Sequence, residues 1–129
     1  MEKQTMSHLK LPTVSSDDDA LYEMMQIQRV INSRFYDNSK LGPNEKEKFL
    51  KEYCLAITAE SMELLDLINW KIWKQTKKEV EWQEVKYEAI DMLHFVLSLF
   101  DVLGMSKEDV HAYYLAKANE NLNRQNRGY

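Results

Sequence analysis

Four acids occupy places where a helix normally carries its apolar face, and few folds accommodate that. Glu60 and Glu63 lie in AITAESMELLDLINW, and Glu88 and Asp91 in VKYEAIDMLHFVLSLF. Each pair is spaced i,i+3, so on a helix its two carboxylates share one face. Carboxylates in apolar surroundings are costly unless their charge is compensated, and a hard divalent cation does this with oxygen ligands alone. The pattern predicts two helices packed antiparallel with the acid pairs facing across a magnesium site. The competing expectation is surface decoration, with Glu60, Glu63 and Glu88 solvated or paired with Lys71, Lys74 or Lys86.

The rest of the chain agrees with a helical frame. Three Gly and two Pro in 129 residues leave few interruptions, and that length suits one domain with a modest core. Residues 1–16 read as a flexible lead-in and 17–129 as the folded domain. A first helix is predicted over 17–36, capped by Ser16 or Asp17, with Leu21, Met24, Met25, Gln28, Ile31 and Phe35 near a 3.6-residue stripe. Gln28, and Asn32 one turn later, interrupt that stripe with amides. They stand either at the edge of the core or against a polar ligand. Leu41-Gly42-Pro43 is a break, and Asn44 with Glu47 offers a capping box for a second helix over 45–70. Leu50, Tyr53, Ile57, Leu64 and Ile68 are its expected core positions, with Cys54 a small buried neighbour rather than a nucleophile.

Thr76 and Glu79 form a second capping pattern, which opens a third helix near 77 or 80 and carries it to 103. Val85, Ala89, Met92, Leu93, Val96, Leu99, Phe100 and Leu103 are its expected buried face. Gly104 ends it, and Ser106 with Asp109 opens a last helix over 107–126. Lys117, Asn121 and Arg124 share a polar face there. The expected architecture is an all-α bundle of four to five helices. Apolar residues spread beyond one stripe on the third helix suggest a dimer whose interface completes the core.

The acid set also selects its chemistry. Di-iron carboxylate bundles use Glu-x-x-His, and the one such spacing, Glu108 to His111, lies away from the acid pairs; Asp91 to His94 is the nearest within them. His8 and His111 lie outside the cluster, and His94 reads as a packing residue or an outer partner of the site. Magnesium, with manganese as a substitute, fits better than iron, and carboxylate-held magnesium usually works on phosphates. No glycine-rich phosphate cradle is present, so phosphate contacts fall to the metal and to Lys71, Lys74, Lys117, Arg124 or Arg127. Trp70-Lys71-Ile72-Trp73-Lys74, just after the first acid pair, either covers the surface or walls a ligand pocket.

With these motifs in view, the chain resembles the all-α nucleoside triphosphate pyrophosphohydrolases, which include the MazG-like enzymes. The shared pattern is Glu60-x-x-Glu63, a spacer of roughly two dozen residues, then Glu88-x-x-Asp91. Gln28-x-x-Ile31-Asn32, AESMELLDLINWKIWK, EAIDMLHFVLSLF and KANENLNRQNRGY are similar to the dimeric dUTPase branch. That resemblance implies a homodimer hydrolysing dUTP, and also dUDP, to dUMP. It implies two or more magnesium ions on Glu60, Glu63, Glu88 and Asp91, with Glu60 and Glu63 catalytic and Glu60 helping to activate water. Gln28 and Asn32 would meet the base, and Trp70 or Trp73 the nucleoside. Lys71, Lys74, Lys117, Asn121, Arg124 and Arg127 would contact phosphate or sugar, from either subunit.

Two alternatives stay open: a related enzyme preferring dCTP or another non-standard nucleotide, and a non-enzymatic helical interaction domain. Net charge is -4 with interspersed signs, which argues against a nucleic-acid surface. No apolar run approaches the roughly 20 residues of a membrane span. The single cysteine excludes an internal disulfide. A cytoplasmic protein of a bacterium or phage-infected cell is the expectation.

Overall fold

The computed structural model describes residues 9–128 and contains four α-helices. They are α1 (Ala20–Asn32), α2 (Pro43–Leu67), α3 (Trp82–Val102) and α4 (Lys107–Asn126). A 3-10 turn, Asn38–Lys40, joins α1 to α2. Among the described residues there is no strand, in agreement with the all-α expectation. Part of the lead-in, residues 1–8, lies outside the described residues, and residues 9–15 carry no regular structure.

Local hydrogen bonding explains where the helix ends depart from expectation. The N-cap of α1 is Asp19 rather than Ser16 or Asp17; its Oδ1 accepts from Tyr22 N at 3.1 Å. Ser15 and Asp18 instead close their own turn, with Ser15 N donating to Asp18 Oδ2 at 3.0 Å. α1 stops at Asn32, not residue 36, because the chain turns to carry Tyr36 inward, where its hydroxyl donates to Asp101 Oδ2 at 3.0 Å. α2 opens two residues earlier than expected. Gly42 is the N-cap, Pro43 takes the first turn, where its missing N–H costs nothing, and Glu45 rather than Glu47 reaches back to Gly42 N.

α2 ends at Leu67, short of residue 70, and the Thr76/Glu79 pattern starts no helix. Asn69 ties the intervening loop shut instead: its Nδ2 donates to Lys78 O at 2.9 Å and its Oδ1 accepts from Lys78 N at 3.0 Å. With those backbone groups committed to Asn69, α3 begins only at Trp82. The end of α3 matches its signal. Gly104 adopts φ 67°, and Gly104 N and Met105 N donate to Asp101 O and Phe100 O at 3.1 and 3.0 Å, a Schellman closure. α4 opens on the expected capping box, with Ser106 Oγ accepting from Asp109 N at 3.1 Å and Asp109 Oδ2 from Ser106 N at 3.0 Å.

α2 and α3 form the main pair. Tyr53 faces Phe95 with ring centroids 6.2 Å apart while Glu60 meets Glu88, so the two run antiparallel. α1 lies parallel to α3, since Gln28 meets His94 and Asn32 meets Ser98 and Asp101. α4 turns away from α3 by 108° and packs lightly on α1. No single helix among the described residues is long and apolar enough to cross a membrane.

The core of one chain is small. Leu97 and Val102 are the apolar side chains buried among the described residues, whereas Gln28, Asn32, Glu88, Ser98 and Asp101 are also buried. Several expected core residues stand open: Met24, Ile31 and Phe35 on or after α1, and Ala89 and Leu103 on or after α3. Cys54 is exposed, not buried. The accessible surface is 10668 Å². A compact monomer of 15.3 kDa exposes about 7,100 Å². The apolar stripes are therefore real, but a single chain does not cover them.

Candidate metal centre and the amide network beside it

The antiparallel register brings the acid pairs together. One carboxylate oxygen each from Glu60, Glu88 and Asp91 lies within 4.8 Å of the others. Glu88 is buried, Glu60 and Asp91 are half-buried, and Glu63 stands exposed at the rim. Glu63 still acts on the cluster. The Glu60 carboxyl is pushed up to about 7 by burial first, then by hydrogen bonding with Glu63 and Glu88, and then by the negative charges of Glu63 and Asp91.

This donor set fits a hard divalent cation. Glu60 Oε2 is buried with no hydrogen-bond partner among the described residues, and its close neighbours are carboxylates. A cation would satisfy that oxygen and relieve the mutual repulsion that raises Glu60. Oxygen-only ligands suit magnesium or manganese, and among the described residues no histidine or cysteine joins the cluster to favour zinc or iron.

A second cluster continues along α3. Asp91, His94, Ser98 and Asp101 follow one face at intervals of three or four residues. Gln28, 6 % exposed, sits against this face with Oε1 2.7 Å from His94 Nδ1, while its Nε2 donates to Asn32 Oδ1 at 3.1 Å. Asn32 Nδ2 donates to Ser98 Oγ and Asp101 Oδ2, both at 3.2 Å. Asp101 also accepts from Tyr36 OH at 3.0 Å and, on Oδ1, from Asn38 Nδ2 at 2.9 Å. The Tyr36 phenol is raised well above its ordinary range by burial and by the Tyr53 and Asp101 oxygens, so it remains a donor. Gln28 and Asn32 are thus wired to α3. His94 is exposed and bonded rather than packed in the core stripe. Tyr36, Asn38, Ser98 and Asp101 were not among the expected site residues. The signal available for Ser98 and Asp101 was their place on the Asp91 face, seven and ten residues on.

The loop between α2 and α3 carries Trp70 and Trp73 in an edge-to-face contact at 5.9 Å, with Lys71 Nζ 5.5 Å from the Trp70 ring centroid. Trp70, Lys71 and Lys74 line a cavity of about 450 Å³ with Asp66, Asn69 and Lys78. That cavity excludes the acid cluster, so the structure gathers the Trp-Lys residues with one another and not directly around the carboxylates. The C-terminal set is exposed on α4. Lys117 and Arg124 pair with Glu120 on the same helix at 3.9 and 2.6 Å, and Asn121 and Arg127 are also exposed.

Comparison with known proteins agrees with this architecture. A 71-residue stretch is 38 % identical to a dCTP pyrophosphatase of Enterobacteria phage LZ5, covering 46 % of this chain and 41 % of that protein. The dCTP pyrophosphatase of Enterobacteria phage T4 is also 38 % identical over 71 residues, covering 46 % of this chain and 42 % of the relative. A DNA replication protein of phage T4 is 37 % identical over 65 residues, covering 42 % of this chain but 17 % of that longer protein. The aligned stretch thus spans about two-fifths of the length of the two pyrophosphatases. No solved structure matches. The profile of the dUTPase_2 family, described as dUTPase, matches residues 20–101, from the start of α1 to Asp101. That stretch holds both acid pairs and the whole Gln28–Asp101 network, and the chain belongs to this all-α, MazG-like family.

Proposed function

We propose that this chain hydrolyses a nucleoside triphosphate to its monophosphate and pyrophosphate, with dCTP preferred to the dUTP expected from the family resemblance. The observation that carries the proposal is the convergence of Glu60, Glu88 and Asp91 oxygens within 4.8 Å, one helical turn from a wired His94–Gln28 pair. Metal ions held there would neutralise phosphate oxygens and make a bound water more acidic. Glu60, Glu88 and Asp91, with Glu63 at the rim, would hold those ions against the phosphate chain. Glu60 is the candidate to take a proton from the attacking water as the bridge between the α and β phosphates breaks.

The polar stripe of α3 sets the direction of the nucleotide. Phosphates belong at Glu88 and Asp91, and the base belongs toward Gln28 and Asn32. Lys71, Lys74, Trp70 and Trp73 form the wall beyond the end of α2. Lys117, Asn121, Arg124 and Arg127 project from a helix that one chain leaves almost uncovered, which supports their acting across a homodimer. The preference for dCTP follows the activity named for two relatives; the family description, dUTPase, supports dUTP as the second reading, to which the sequence resemblance adds dUDP.

Pyrophosphate release from dCTP, dUTP, dTTP and dATP, each with magnesium and with chelator, tests the proposal. The expected result is magnesium-dependent release, fastest with dCTP. Equal turnover of all four, or turnover that ignores the chelator, would overturn it.

A further inference from the structure

The buried carboxylate of Asp101 has no place in the chemistry above, yet it anchors a one-way chain of hydrogen bonds that ends beside the metal centre. An ionised carboxylate only accepts. Asp101 therefore obliges Asn32 to turn its NH₂ group inward, to Asp101 Oδ2 and Ser98 Oγ at 3.2 Å each. The Asn32 oxygen then faces Gln28, which must offer its own NH₂ group, at 3.1 Å. That leaves Gln28 Oε1 against His94 Nδ1 at 2.7 Å, a contact that requires a proton on Nδ1. The reversed chain would place the Asn32 oxygen against the Asp101 carboxylate, two acceptors face to face. Tyr36 OH shares Oδ2 at 3.0 Å and Asn38 Nδ2 holds Oδ1 at 2.9 Å, so the carboxylate cannot swing away to relieve such a clash.

We propose that Asp101 is a positioning residue that, through Asn32 and Gln28, holds neutral His94 as the Nδ1–H tautomer and thereby favours a base with an exocyclic amino group. The part concerning the base rests on the nucleotide reading given above; the tautomer does not. With Nδ1 carrying the proton, the exposed His94 ring presents Nε2 as a lone pair. Gln28 alone is indifferent, because one amide can pair with the edge of either cytosine or uracil. A fixed acceptor at Nε2 is not indifferent. Set against the exocyclic group of the base, it accepts from the amino group of cytosine, whereas the carbonyl oxygen that uracil carries at the same place would meet a lone pair.

The test combines nitrogen NMR of the ring with kinetics. In mildly alkaline solution without nucleotide, wild-type His94, assigned by its loss in H94Q, should show a protonated Nδ1 and an unprotonated Nε2, the reverse of what free histidine prefers. Asp101→Asn keeps the shape but lets the chain run either way, so it should mix the tautomers. It should also lower the ratio of kcat/KM for dCTP over dUTP by about tenfold, the scale of one hydrogen bond, chiefly through KM. Asn32→Ser, which cuts the chain while leaving Tyr36 and Asn38 on Asp101, should mix the tautomers likewise if Asp101→Asn does not fold. A wild-type ring protonated on Nε2 would overturn the relay. A ring that responds as expected while the nucleotide ratio stays unchanged would overturn its role in selection and leave the hydrolase reading intact. Absence of any nucleotide hydrolysis by the wild type would overturn that reading and the selection, with the relay still decided by the ring.

Discussion

At the scale of single residues, Glu60 is the most informative group. It has a buried oxygen without a donor and a carboxyl raised to about 7 by burial and by neighbouring acids. Glu60→Gln removes the charge a cation needs and should lower turnover by a factor on the order of 10²–10⁴, and Glu88→Gln should do the same. Circular dichroism of both variants should still show a helical chain, since neither acid caps a helix. The raised carboxyl also fixes the sign of a pH effect on the metal-free protein. Between its ordinary 4.5 and about 7 the folded state keeps a proton that the unfolded state releases. This stabilising contribution is fully present below the lower value and is lost as pH rises through the upper one. Thermal melts in chelator should therefore fall from about pH 5 to about pH 8, less so in Glu60→Gln, and magnesium should restore the loss at the alkaline end. A metal-free melting temperature that rises over that range equally in both proteins would contradict this account.

At the scale of helices and loops, what the sequence revealed depended on how local the cause was. The α4 capping box and the Gly104 stop are complete within a few residues, and both appeared where expected. The Thr76/Glu79 pattern has the same local form but starts no helix, because Asn69, outside the window, takes both backbone groups of Lys78. Spacing made the acid pairs legible, since i,i+3 on two apolar helices already implies a shared face. Asp101 was not legible, because its importance comes from Asn32, Tyr36 and Asn38, more than sixty positions away. Two substitutions test these elements. Asn69→Ala should release the Trp-Lys loop and raise KM several-fold with less effect on kcat, if that loop walls the nucleotide; unchanged steady-state kinetics would remove it from the site. Gly104→Ala meets no neighbour within 4 Å, so its cost should be backbone strain alone. Urea unfolding should register a loss of about 1–2 kcal/mol.

At the scale of the whole molecule, the described residues bury more polar than apolar side chains, and the chain exposes about half as much surface again as a compact monomer of its mass. Ile27, Val30 and Ile31 form an open apolar ridge on α1, with Gln28 and Asn32 turned to the other side, and Tyr113, Tyr114 and Leu115 lie open on α4. Exposed apolar stripes of that extent are what the proposed homodimer would cover. A second copy would cover these stripes without disturbing the α2–α3 register that builds the acid cluster. It would also bring another α4, with its Lys117, Asn121, Arg124 and Arg127, toward the nucleotide. Sedimentation should thus give twice the mass of the 15.3 kDa chain. Ile27→Asp, which touches neither the acids nor the amide network, should dissociate the assembly and reduce turnover together. If that variant becomes monomeric with undiminished turnover, the site is complete within one chain and the C-terminal basic residues have no part in it. If the wild type sediments as a monomer, the exposed stripes must serve some other contact.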